Sequence, residues 1–153
     1  MTQPTSWQRI VIGLDGSEGS RRALDHAIDL ARRLDSEVIA VTAVEPTPVA
    51  YAMDAAYPTP PPPEPDVDAA LRELEDEWCG PLRAAGVTYR AIARLARPAD
   101  AIVDVVGEED AGLVVVGRRG LGSVAELLLG SVSHDLSHEC PVPLLVVPHP
   151  RSS

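Results

Sequence analysis

The sequence predicts a doubly wound α/β fold, a single five-stranded parallel sheet with helices on both faces. Three observations predict it. Short apolar, β-branched runs alternate with stretches whose apolar residues recur at helical spacing. Most joints between them are short, as strand–helix–strand crossovers require. Two glycine-bearing turns fall where strands end, which is where sheets of this kind bind ligands. At 153 residues, with 45% hydrophobic and 24% charged residues, the chain reads as one domain, 1–153, large enough to bury a core.

Arg9 to Leu14 is a short β-branched run closed by the turn Asp15-Gly16-Ser17, and it reads as a buried first strand. From Ser20, the residues Leu24, Ala27, Ile28, Ala31 and Leu34 mark one face of a helix that ends near Asp35. Glu37 to Val44 is the second strand. Prolines at 46, 48, 58 and 60–63 then break the rhythm, so 46–65 reads as a proline-rich surface loop. Topology roots that loop at the carboxyl end of strand two, where Tyr51, Met53 and Tyr57 are its sizeable apolar groups; a spacer and a lid are both open readings. Asp66 to Ala85 is expected to form one helix, through Ala70, Leu71, Leu74 and Trp78, stopped by Gly86. Val87 to Leu95 is a third strand, and Pro98 opens a helix carrying Ala101, Ile102, Val105 and Val106. Leu113 to Val116 is a fourth strand, Ser131 to Glu139 a helix, and Pro143 to Val147 a fifth strand.

Composition excludes several functions. All 13 basic residues are arginine, which removes phosphate binding by a Walker lysine, Schiff-base chemistry and covalent pyridoxal phosphate. There is no Phe, and 3% aromatic content leaves few rings to stack on flavins or bases. A net charge of −10 disfavours nucleic acid and anionic lipid. The apolar runs are too short to span a bilayer, and Met1 to Ile10 lacks the long apolar core of a signal peptide. Cys79 and Cys140 make no disulfide framework and have no metal-ligand spacing, so a reduced cytoplasm is the expected setting.

The chemistry concentrates at the two turns. After strand four the chain reads Gly117-Arg118-Arg119-Gly120-Leu121-Gly122, and later Gly130-Ser131-Val132-Ser133. Glycines at a strand end let the backbone turn sharply and approach a ligand without a Cβ in the way. Gly130-Ser131 opens a helix whose free N–H groups and positive dipole end suit phosphate. Ser131 and Ser133 add hydroxyls, so an anion can be held without lysine.

The spacing Gly117, two residues, Gly120, nine residues, Gly130-Ser131 resembles the ATP-binding signature of the universal stress protein family. The resemblance runs from Ile10 to Val147 and includes the closing Cys140-Pro141-Val142-Pro143-Leu144-Leu145-Val146-Val147. It implies a Rossmann-like fold of the adenine nucleotide alpha-hydrolase type and a cytoplasmic, ATP-binding regulator of stress response, with Mg2+ accompanying the nucleotide. It further implies that Asp15 contacts the ribose or adenine, that the Ala43 backbone contacts adenine, and that Gly117, Gly120, Gly130, Ser131, Val132 and Ser133 line the phosphates. A homodimer through the final strand is implied as well.

Plainer roles stand beside these. Asp15 is equally a turn or helix-start residue, Gly117 and Gly120 turn residues, and Arg118 and Arg119 solvated loop charges. His134 and His138 lie one turn apart, yet the sequence places no third ligand, and an exposed helix face is the expectation, with no metal site. The acidic helix from Asp66 to Trp78 reads as a solvated face. A slow ATPase or nucleotidyl-transfer enzyme is the alternative function, though no lysine, nucleophile elbow or general base is apparent near the glycine loop. A nucleotide-free structural dimer and a flavodoxin-like carrier fit less well.

Overall fold

The computed structural model describes residues 6–46, 60, 63–118 and 130–149. The proline-rich stretch, with Tyr51, Met53 and Tyr57, falls almost entirely outside them, as does Gly120. Five parallel strands, β1 (Arg9–Gly13), β2 (Glu37–Val44), β3 (Tyr89–Leu95), β4 (Leu113–Gly117) and β5 (Leu144–Val147), form one sheet in the order β3-β2-β1-β4-β5. The helices are α1 (Glu18–Leu34), α2 (Val67–Glu73), α3 (Gly80–Ala85), α4 (Pro98–Glu109) and α5 (Ser131–Glu139). The α/β class, the strand count and the placement of the final strand at a sheet edge are as the sequence predicts.

Period-two alternation divides the strands between two cores. Ile10, Ile12, Val38, Ala40, Leu113 and Val115 face α1 and the α2–α3 region, with Leu24, Ala27, Leu74 and Leu82 packed on them. Val11, Ile39, Val41, Val114 and Val116 face the other way, onto Ile102, Val105, Val106 and Leu136 of α4 and α5. Strands buried on both faces read as unbroken apolar runs, which is why β1 and β4 carry no polar alternation.

One expectation is corrected. The helix foreseen over 66–85 is not continuous: a π-helical turn, Leu74–Trp78, separates α2 from α3. Leu74 and Cys79 are both fully buried. Five residues of regular α-helix rotate about 500°, roughly 140° past the starting face, so both could not point at one core. The wider turn, closed by the Cys79 N–H donating to the Leu74 carbonyl at 2.9 Å, brings them together. Burial pushes the Cys79 thiol up to about 11, so it stays protonated at neutral pH as a packing residue.

The two ends of the sheet differ. At the amino edge Arg90 bridges Glu37 at 2.7 Å and Glu109 at 2.5 Å, holding the Glu109 carboxyl below the usual carboxylate range. Exposed pairs of this kind add little stability. They do occupy that edge with side chains, whereas a solvent-open hollow lies at the carboxyl edge among the described residues. No helix among the described residues is long and apolar enough to cross a membrane.

Candidate functional site

From β1 the chain winds outward to β2 and β3, then returns to β4 and β5 on the other side. Strand order therefore reverses between β1 and β4, and a crevice forms above their carboxyl ends. It encloses about 560 Å³ of space, open solvent included. Its walls come from the β1–α1 turn, the end of β2, the start of α4, the end of β4 and Val132 of α5.

The β1–α1 turn supports itself. Gly16 adopts φ 79, a left-handed conformation that costs glycine nothing. The Asp15 carboxylate accepts the Ser17 N–H at 2.9 Å through Oδ1, and Ser17 Oγ caps α1 by accepting the Ser20 N–H at 3.2 Å. Asp15 thus holds the turn, and it also lines the crevice.

Ala43 is placed by register. Gly13 pairs with Val41 as the last β1–β2 pair, and the Leu14 N–H still reaches the Val41 carbonyl at 2.9 Å. Backbone groups of β2 alternate between its two neighbours. Val44 turns its carbonyl to the β3 side, where the Ala96 N–H donates at 3.0 Å, so Ala43 faces the β1 side beyond the point where β1 ends. One donor and one acceptor are presented together at the crevice wall.

Gly117 lines the same wall, but its lack of a side chain answers first to packing. A Cβ there would lie 2.6 Å from the Gly19 carbonyl oxygen of α1. The end of β4 is tied to the head of α5, because the Gly130 N–H donates to the Arg118 carbonyl at 2.8 Å. Ser133 reinforces that tie. Its hydroxyl is buried and donates to the Arg118 carbonyl at 2.9 Å and the Gly130 carbonyl at 3.1 Å. Its one proton is shared between these two carbonyls, which joins the end of β4 to the head of α5.

Among the described residues no side chain caps the head of α5. Gly130 supplies no side-chain cap, and the first intrahelical bond is His134 N–H to the Gly130 carbonyl at 2.9 Å. The N–H groups of residues 131–133 precede it and have no partner within the helix. Ser131 is exposed there, and Val132 contributes an apolar patch to the crevice. The rings of His134 and His138 meet edge-on, 5.0 Å between centroids, and no group of three His, Cys, Asp or Glu able to hold a metal occurs among the described residues.

Of the residues singled out in the sequence, the structure brings Asp15, Ala43, Gly117 and Val132 into one crevice, with Gly130 and Ser131 at the adjoining helix head. Sequence reasoning missed Ser17, Ser20, Thr42, Pro98 and Ile102. The first two had a signal, the Ser-x-x-Ser spacing at the start of a helix. Pro98 and Ile102 follow from topology, since every crossover helix begins at the carboxyl edge. Among the described lining residues Asp15 is the one titratable side chain.

Comparison with known proteins agrees with this geometry. The sequence profile of the universal stress protein family matches residues 6–148. Universal stress protein YxiE of Bacillus subtilis is 30% identical over 156 residues, spanning 92% of this chain and 99% of that protein. A universal stress protein crystallised in complex with cAMP is 31% identical with a TM-score of 0.64, covering 93% of this chain and 97% of the other. Universal stress protein UspA from Lactobacillus plantarum shares the fold, with a TM-score of 0.69 at 20% identity, over 92% and 97% of the two chains. The chain belongs to the universal stress protein family.

Proposed function

We propose that this protein binds an adenine nucleotide, ATP with Mg2+ in the first reading, and acts as a cytoplasmic nucleotide-dependent regulator in stress response. The observation that carries the proposal is the convergence of Asp15, the outward-facing backbone of Ala43, Gly117 and the head of α5 on one crevice. The base lies against Ala43 and the apolar wall of Val41, Ile102 and Val116; the phosphates run toward Gly130 and Ser131, where the first N–H groups of α5 offset their charge. Gly120 belongs to the same path by its spacing in the sequence. Mg2+ arrives with the triphosphate, whose oxygens supply most of its ligands.

A second reading, a cyclic adenine nucleotide, is favoured by the 31%-identical relative that was crystallised with cAMP. Thermal unfolding and calorimetry with ATP–Mg2+, AMP and cAMP separate the readings. A ligand at about a hundred times its Kd adds about 2.7 kcal/mol and raises Tm by about 5–10 °C for a chain of this size. A preference for cAMP over ATP moves the assignment to the second reading; no shift and no heat with any of the three removes both.

The protein is also expected to be a homodimer through β5. Among the described residues that strand pairs only with β4 and leaves Leu145 exposed, and an unpaired apolar edge is a site of association unless covered. Light scattering at micromolar concentration is expected to give twice the chain mass; a clean monomer contradicts this assembly.

A further inference from the structure

We propose that Trp78 is the positioning residue of the ligand-binding turn, and that its packing is coupled to occupancy of the crevice. The inference rests on the nucleotide reading above. A Cβ built on Gly16 would lie 2.7 Å from Trp78 Cζ2 and 3.0 Å from Cε2, so the indole packs directly against Gly16. Gly16 is the left-handed residue of the turn, and its neighbours Asp15 and Ser17 line the crevice on the other side. The turn is therefore held between two hollows that share Leu14 and Ser20. One is the crevice, and the other, open to solvent, has Trp78 in its wall.

The π turn aims the indole. Leu74 and Cys79 are fully buried and fix both ends of the turn to the core, which leaves Trp78, next to Cys79, half-buried at the margin of that core and against the start of α1. Such turns are retained where they redirect a side chain toward a functional site. A ligand that draws Asp15 or the Ser17 backbone toward itself shifts Gly16, and the indole packed against Gly16 must follow. By reciprocity, loss of the indole weakens the ligand.

The test uses the full chain with ATP–Mg2+ and with cAMP. Trp78→Ala is expected to raise Kd about tenfold, measured well below Tm, while Trp78→Phe, which keeps a ring on Gly16, stays within about threefold of wild type. Trp7 is the other tryptophan, so the Trp7→Phe variant leaves Trp78 as the sole indole, and its emission is expected to change saturably with the calorimetric Kd. That second arm holds even if Trp78→Ala fails to fold. Calorimetric binding with constant Trp78 emission and unaltered Kd in both Trp78 variants overturns the coupling and leaves the nucleotide reading intact. Absence of calorimetric binding to wild type overturns the nucleotide reading, and the coupling with it.

Discussion

Gly117→Ala is expected to lose about 3 kcal/mol of stability with no ligand present, at the upper end of the range for overpacking a tight site. The added methyl would lie 2.6 Å from the Gly19 carbonyl oxygen and 2.7 Å from its carbonyl carbon. Both are backbone atoms in the first turn of α1, which the Ser17 cap holds in place, so neither can rotate away. Gly13→Ala provides the control. There the nearest atom is Ile102 Cδ1 at 2.9 Å, the end of a side chain that can change rotamer, and a loss of about 1 kcal/mol is expected. Urea unfolding of the ligand-free variants distinguishes them through the midpoint at unchanged slope. A Gly117→Ala protein as stable as wild type, but unable to bind nucleotide, would return this glycine to the purely ligand-facing role that the sequence alone suggests.

Leu136→Ala is expected to cost about 3 kcal/mol, the usual scale for a buried leucine truncated in a packed core. Leu136 is 1% exposed and joins α5 to the cluster that includes Val105, Val114 and Ile102. Its effect on binding is expected to exceed that of other core truncations of equal cost. A helix of nine residues has little stability of its own, and α5 depends on this contact to hold its head at the crevice. Nucleotide affinity is therefore expected to fall more than tenfold, whereas Leu24→Ala, on the opposite face, destabilises the fold with little change in affinity at low temperature. Equal losses of affinity in the two variants would show that α5 has no special part in binding.

Most of the fold was legible because periodicity and turn chemistry agreed along the chain. β2 and α5 fall on the residues expected, and Gly86 ends its helix in the left-handed conformation, φ 68. The break at 74–78 was not legible, since spacings of three and four through Leu71, Leu74 and Trp78 mimic an ordinary amphipathic helix. Only the burial of Cys79, five residues after Leu74, exposes the wider turn, and a cysteine in sequence does not announce its burial. At the site, residue type and spacing singled out Asp15, Ala43, Gly117 and Val132, which line one crevice, the first three at strand ends and Val132 at the head of α5. They could not tell which groups are already engaged. Ser133 resembles a phosphate donor in sequence, and its hydroxyl joins the end of β4 to the head of α5; Gly117 resembles a ligand-approach glycine, yet it is required by the backbone of α1. Such assignments depend on three-dimensional neighbours, Arg118 for Ser133 and the distant Gly19 of α1 for Gly117, which a spacing motif does not encode.

The central claim is that an adenine nucleotide occupies the carboxyl-edge crevice between β1 and β4. Amide chemical-shift mapping of the 15N-labelled protein during titration with ATP–Mg2+ and with cAMP tests it most directly. Saturable shifts are expected to concentrate at residues 13–20, at Thr42 and Ala43, at Gly117, and at Gly130 to Val132, with the amino-edge residues Glu37, Arg90 and Glu109 unmoved. Saturable shifts centred on that amino edge, or none at millimolar nucleotide, would contradict the account.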